Sequence, residues 1–276
     1  MKPFEYFRPT TLEDAYKLLN QYGDKASILN GGTDLIVRMR EGHSEPEAVV
    51  DIKQIESLRA IRVSEDEIFI GACVLLNELG SHPEIRKKVP FLAQAALSVG
   101  SKQVRNRATC VGNICNASPL ADTATPLLAL DADVHVYGDE GVKQIPLKHF
   151  FVFVRKTALK QGEIVTGISF KIDGASLGIF QKISRRKEVD LSTVCGTVVR
   201  ADGAYRVSFG AVAPTPIRLT ETEAYLSSKP LSPETVEAAC EIAKGEVSPI
   251  GDIRASKAYR EDMVAVVLKQ ALSEWL

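Results

Sequence analysis

Residues 100–125 read GSKQVRNRATCVGNICNASPLADTAT, a run that follows neither the helical period nor the alternation of a strand. It holds few large apolar side chains but many small donors and acceptors, among them Thr109, Gly112, Asn113, Asn116, Ser118, Asp122, Thr123 and Thr125. Irregular segments longer than about 12–15 residues are uncommon inside compact domains. A segment of this composition between two apolar runs is either an exposed loop or the wall of a polar ligand site, where small residues permit close backbone contact. Asp122 has two readings of its own. It accepts hydrogen bonds from the hydroxyls of a ribose or ribityl chain, or it caps a helix beginning in TATPLLAL.

The chain on either side is patterned. FRPTTLEDAYKLLNQYGD predicts a helix capped by Thr10 or Thr11, with Glu13 placed for a capping box, Gly23 as its stop, and an apolar stripe of Leu12, Ala15, Leu18 and Leu19. ASIL and AVVDI are short buried strands with a short helix, DLIVRMREG, between them, so residues 1–58 form a small α/β unit. From residue 59 to 174 come a hairpin (LRAIRVSEDEIFIGACV), a helix (FLAQAALSV), the irregular run, and then PLLALDADVHVYGDEGVKQIPLKHF, a short helix followed by two strands around a Gly-Asp-Glu-Gly turn. DGASLG marks a domain boundary near residue 174. Beyond it, GIFQKISRR and STVCGTVVRADGAYRVSFGAVAPTPIRL predict three antiparallel strands joined by an Asp202-Gly203 turn. Ser232-Pro233 opens a helix with Val236, Ala239, Cys240 and Ala243 on one face, and the last helix carries Val264, Val267, Leu268, Ala271, Leu272 and Trp275. The class is α+β.

Composition removes several kinds of function. A net charge of -1, with acids and bases interspersed, offers no basic face to a polyanion, which argues against nucleic acid. No apolar run approaches the roughly 20 residues that span a bilayer, and MKPFEYFRPT lacks the layout of a secretory signal, so a cytoplasmic location is expected. Five scattered cysteines read as reduced thiols. Cys110 and Cys115 have no second pair to complete a four-ligand metal set, and His43, His82, His135 and His149 lack His-x-x-x-His spacing, which disfavours metal chemistry by this chain. There is no recognisable carboxylate pair and no Cys/His arrangement for nucleophilic catalysis. Chemistry performed here comes from a bound cofactor.

Two further stretches bear on which cofactor. In ILNGGTDL, Gly31 and Gly32 let several amides point at one anion just ahead of a helix, which suits a phosphate; Thr33 adds a hydroxyl. The competing reading is a tight strand-to-helix turn with Thr33 or Asp34 as N-cap. In FQKISRRKEVDL, the cations Lys182, Arg185, Arg186 and Lys187 read as a solvated face, unless one turns inward beside a redox ring. Lys182, on the same strand face as Phe180, is the candidate for that role.

Together these stretches resemble the FAD-binding (medium) subunit of the molybdenum hydroxylases, the group that includes bacterial xanthine dehydrogenases and aerobic carbon monoxide dehydrogenases. The resemblance runs nearly end to end, through FEYFRPTTLEDAYKLL, ILNGGTDL, QVRNRATCVGNICNASPLADTATPLLALDADV, EIVTGISF, FQKISRRKEVDL and DIRASKAYREDMVAVVLKQAL. It implies a vanillyl-alcohol-oxidase-type FAD-binding domain of two α/β subdomains over residues 1–174, then a C-terminal domain over 175–276 with a three-stranded antiparallel sheet and helices. By resemblance, Ile28, Leu29, Asn30, Gly31, Gly32, Thr33, Asp34 and Leu35 wrap the FAD pyrophosphate with backbone amides. Thr109, Gly112 and Asn113 form a second loop against phosphate and flavin, Asp122 binds a cofactor hydroxyl, and Val165 and Lys182 lie close to the flavin. Val99 stands where some relatives have an aromatic residue near the adenine, so stacking is absent there. The family's second loop reads Thr-Ile-Gly-Gly-Asn; here Val111 replaces its first glycine, and a positive φ at that position would require a differently shaped loop.

The resemblance further implies non-covalent FAD and an electron relay. A large partner subunit holds molybdopterin, a small partner holds iron–sulfur clusters, and this chain passes electrons to NAD+ or another acceptor. Two alternatives are a stand-alone flavin oxidase of the same fold, which the absence of any histidine from the matched motifs disfavours, and a scaffold that has lost FAD.

Overall fold

Three short strands, β1 (Glu5–Phe7), β2 (Ala26–Leu29) and β3 (Ala48–Asp51), form a parallel sheet in the order β1-β3-β2. The computed structural model that defines them describes residues 1–172, 177–201 and 203–276. Parallel neighbours need crossovers, and the helices Leu12–Tyr22 and Leu35–Arg40 supply them. Thr11 is the cap, its hydroxyl accepting the Asp14 amide at 3.1 Å. Glu13 therefore sits one position too early for the expected capping box and instead pairs with Lys17 at 2.6 Å. Gly23, at φ 58, ends the helix as read. Strand β1 escaped the sequence reading because three residues with Tyr6 half-exposed show no period; its pairing with β3 defines it.

The second unit is a five-stranded antiparallel sheet. It contains β4 (Ile61–Val63), β5 (Glu67–Gly71), β6 (Asp133–Gly138) and β7 (Gly141–Pro146); after a small hairpin, β8 (Phe151–Phe153) and β9 (Lys156–Thr157), its central strand β10 (Ile164–Lys171) follows. The order is β4-β5-β10-β6-β7. The irregular run proves to contain two helices of four and six residues, Lys102–Arg105 and Cys110–Cys115, capped by Ser101 and Thr109. Each is too short for a hydrophobic period to register. Asp122 caps nothing: the helix Ala124–Ala129 has Thr123 in the cap position, without a side-chain bond.

The C-terminal sheet, β11 (Leu177–Ile183), β12 (Val194–Ala201), β13 (Ala204–Gly210) and β14 (Ile217–Arg218), has a two-residue fourth strand in addition to the three expected. Pro214 and Pro216 just before β14 hid it. The expected boundary at residue 174 and the Asp202 half of the expected turn lie outside the described residues. Alternate side chains of this sheet enter two cores. Phe180, Cys195 and Val199 pack into the core of the first two units, while Val194, Val198, Val207 and Phe209 pack against the helices Pro233–Gly245 and Lys257–Ser273. Both faces are covered, which is why VCGTVV reads without polar alternation. A buried polar seam crosses the first face, with Thr125 Oγ1 2.9 Å from Thr197 Oγ1 and Ser208 Oγ donating to the Thr125 carbonyl at 2.6 Å. The helix faces are those predicted; Trp275 lies beyond the helix end and packs beside Tyr205.

One buried cation fastens the C-terminal part. Arg260, 2% exposed, donates to the Thr193 and Ala211 carbonyls and, through Nη2, to Asp252 at 2.8 Å. Burial pushes the Asp252 carboxyl up, but the Arg254 amide, the Arg260 guanidinium and the Ala255 amide outweigh it and hold the group down at about 2. A folded value below the unfolded one, about 3.9, stabilises the fold above that pH, and the gain is lost as pH falls toward the folded value. Asp252→Asn is expected to cost about 1.5–3 kcal/mol at pH 7, read by urea denaturation, with the gap to the parent closing between roughly pH 4 and pH 2. A gap that stays constant over that range would remove the ionised carboxylate from the account.

Candidate functional site

Strand β2 delivers the first loop to the site, and the second loop meets it there. An added Cβ on Gly31 would lie 2.3 Å from the Arg107 carbonyl oxygen, so only glycine lets the two backbones approach this closely. Gly32 takes φ 75. Asn30 ties the loops: its Nδ2 donates to the Ala72 carbonyl at 2.6 Å and to Thr109 Oγ1 at 3.0 Å. The Asn30 carbonyl accepts from Lys53 Nζ at 3.1 Å, and Lys53 in turn pairs with Asp51 at 2.8 Å. Asp51 is buried and also accepts from the Tyr6 hydroxyl. Burial pushes its carboxyl up, but hydrogen bonds from Lys53 and Tyr6 more than offset this and hold it below the usual carboxylate range. The loop thus hangs from a fixed charge, while the amides of Gly31, Gly32 and Thr33 find no acceptor among the described residues.

Thr109 organises the second loop. Its Oγ1 accepts from the Gly112 amide at 2.9 Å as well as from Asn30, which leaves its own proton to donate. Val111, whose β-branch threatened a different loop shape, lies in the helix Cys110–Cys115 and is not among the positive-φ residues, so no such distortion arises. Asn113 Oδ1 is occupied by the Thr123 hydroxyl at 2.7 Å, which frees its NH2 as donor. Asp34 stands at the N-cap position of Leu35–Arg40, where the turn reading of ILNGGTDL put it, but makes no capping bond, its carboxylate going to Arg155 at 2.7 Å.

The two loops enclose one cavity of about 800 Å³, within the range of cofactor sites. Ile28, Asn30, Gly31, Gly32, Thr33, Asp34 and Leu35 line it from the first loop, Thr109, Gly112 and Asn113 from the second, and Val165 from β10. Leu29, Asp122 and Lys182 are not part of the lining. Leu29 packs under Gly32. Asp122 and Lys182 form a buried pair at 2.6 Å behind the wall. The Asp122 carboxylate also accepts from Ser192 and, at 3.3 Å, from Ser98, and Lys182 Nζ donates to the Ser98 carbonyl at 3.0 Å. The cluster thereby fixes Ser98 next to Val99 and Gly100, which do line the cavity. Of the four cations around it, Lys182 is the one that turns inward; Arg185, Arg186 and Lys187 are exposed.

Residues outside the sequence reading complete the wall. Among the described residues Arg38, Arg155 and Arg254 line it against a single acid, Asp34, so the lining is net positive, although Arg155 pairs with Asp34 and Arg254 with Asp252 at 3.3 Å. Arg155 lies on the β8–β9 turn, outside every segment of the resemblance, and Arg254 in a loop far along the chain, inside DIRASKAYREDMVAVVLKQAL, where nothing in the segment marks it as a site residue. Cys115 also lines the cavity; burial pushes its thiol, like that of Cys110, up to about 12, so neither is a thiolate at neutral pH. Convergent amide, hydroxyl and guanidinium donors fit an elongated ligand with a pyrophosphate at its middle, as FAD has.

Known proteins agree with this chemistry. The family model described as FAD binding domain in molybdopterin dehydrogenase matches residues 2–170, and that of the CO dehydrogenase flavoprotein C-terminal domain matches residues 179–275. The nicotinate dehydrogenase FAD-subunit of Eubacterium barkeri is 35% identical, over 98% of this chain and 95% of its own. The carbon monoxide dehydrogenase medium chain of Hydrogenophaga pseudoflava is 32% identical, over 98% and 96%. A chain in the structure of carbon monoxide dehydrogenase from Hydrogenophaga pseudoflava lacking the Mo-pyranopterin moiety superposes with a TM-score of 0.94 at 32% identity, covering 99% of this chain and 98% of that one. The α+β architecture expected from sequence is the one these relatives share, and the chain belongs to the FAD-binding flavoprotein family of the molybdopterin dehydrogenases.

Proposed function

We propose that this chain is the electron-transfer subunit of a multi-subunit molybdenum hydroxylase, taking electrons from iron–sulfur clusters on a small partner and passing them to NAD+ or another acceptor. Molybdopterin belongs to a large partner in this reading, and the assembly works in the cytoplasm; no helix among the described residues is long and apolar enough to cross a membrane. The observation that carries the reading is the meeting of the two loops around one positive cavity in a chain matched along its length by dehydrogenase flavoprotein subunits.

FAD, when bound, supplies a ring that exchanges electrons singly or in pairs. The chain's own residues hold it. Gly31, Gly32 and Thr33 present amides, Thr109 a hydroxyl proton and Asn113 its NH2, while Val165 and Ile164 give an apolar wall. Asp122 and Lys182 lie behind this wall as a buried pair, so they act on the cofactor through Ser98 and through the charge of the pair rather than by touching it. With Cys115 a neutral thiol, the cavity presents no activated sulfur nucleophile, which supports non-covalent binding.

The chain purified with the proteins that accompany it is expected to show flavin and iron–sulfur absorption, and acid denaturation is expected to leave the flavin in solution. Flavin that stays on the precipitated chain would replace this reading with the stand-alone covalent oxidase. Gly31→Ala forces the loops apart, and FAD affinity measured by fluorescence quenching should fall at least ~10-fold, equivalent to about 1.4 kcal/mol. Lys182→Ala removes positive charge and should lower the flavin reduction potential in a redox titration. It also breaks a buried pair, costing about 3–5 kcal/mol in stability. An unchanged potential would limit Lys182 to its structural partnership with Asp122.

A further inference from the structure

Arg155 belongs to none of the motifs above, yet it joins the two cavity loops to each other. It sits in the tight turn between β8 and β9 at φ 60, the left-handed conformation that such hairpin turns require and that glycine adopts more freely than arginine. From that turn it contacts both loops. Its amide donates to the Ala117 carbonyl at 2.9 Å, just past the helix that forms the second loop, and Ala117 is itself left-handed at φ 45. Its Nη1 donates to Asn116 Oδ1 in the same segment and to Asp34 Oδ2 of the first loop at 2.7 Å. The side chains of Arg155 and Asp34 are 41% and 45% exposed, and both residues line the cavity.

We propose that Arg155 is a positioning residue for cofactor retention. It is a strap from the β8–β9 turn that holds Asp34 of the first loop against Asn116 and Ala117 behind the second, so that separation of the loops, and with it release of FAD, requires the Arg155–Asp34 bond to break. The proposal rests on the reading that this cavity holds FAD. The tight Asn30–Thr109 contact joins the loops directly, whereas the Arg155 contact is a half-exposed ion pair and is therefore weakened by salt. Part of the ionic-strength dependence of cofactor retention therefore comes through this one pair.

The test is the rate of FAD release from the full-length chain, followed by the rise in flavin fluorescence at low and high sodium chloride. Arg155→Gly relieves the left-handed backbone and is expected to match or exceed the parent in urea denaturation, yet to release FAD about 2- to 5-fold faster at low salt, the scale of a single exposed ion pair. Salt should speed release from the parent more than from the variant. Asp34→Asn, which leaves the β8–β9 backbone untouched, should give the same faster release with the same weakened salt response, and Arg155→Lys should restore part of the salt-sensitive slowing. A glycine variant, or Asp34→Asn if the former does not fold, that keeps the parent's release rate and salt response overturns the strap. A parent chain that takes up no FAD overturns the reading of the cavity itself, before any variant is compared.

Discussion

Everything at the site depends on two backbones touching at Gly31 and Arg107. No side chain could occupy that gap, because a Cβ would sit 2.3 Å from a carbonyl oxygen. Once the gap is closed, Asn30 reaches Thr109 across a separation of 79 residues, and one hydrogen bond sets the spacing of both loops. The contact is anchored from below by the Asp51–Lys53 pair, whose carboxylate stays ionised because two donors outweigh the cost of its burial. Such a site is organised before any ligand arrives, and a pre-formed site loses less ordering entropy on binding.

The second structural commitment is the C-terminal sheet, which is the filling between two cores. One set of alternate residues completes the interior of the cofactor domain, and the other set makes the interior of its own domain. Lys182 follows from that geometry. It shares a face with Phe180, so it must point into the first domain, where a lone ammonium would be costly; Asp122 and the Ser98 carbonyl receive it. A residue that looked like a cofactor contact from the sequence is also the polar joint between the two domains.

Most of the element pattern was legible because it rests on period and caps: Thr11, Gly23 and Ser232 mark helix ends where they were expected. The first loop was legible because paired glycines before a helix have few uses. Less visible were features that depend on neighbours remote in sequence. β1 exists through its pairing with β3, Arg155 reaches the cavity from a turn without any motif and Arg254 from a loop whose segment does not mark it as a site residue, and Asp122 faces Lys182 because two domains meet there. The worry over Val111 came from treating the second loop as a glycine turn, whereas Thr109 turns it into a capped helix in which a valine is ordinary.

Leu191 and Arg254 line the same cavity as Gly31 and Thr109. A ribosome that has released the first two units has made both loops, but the wall still lacks the pieces contributed by the last third of the chain. The cavity therefore reaches its final form only after Arg254 has been made and the C-terminal sheet has settled against the first two units.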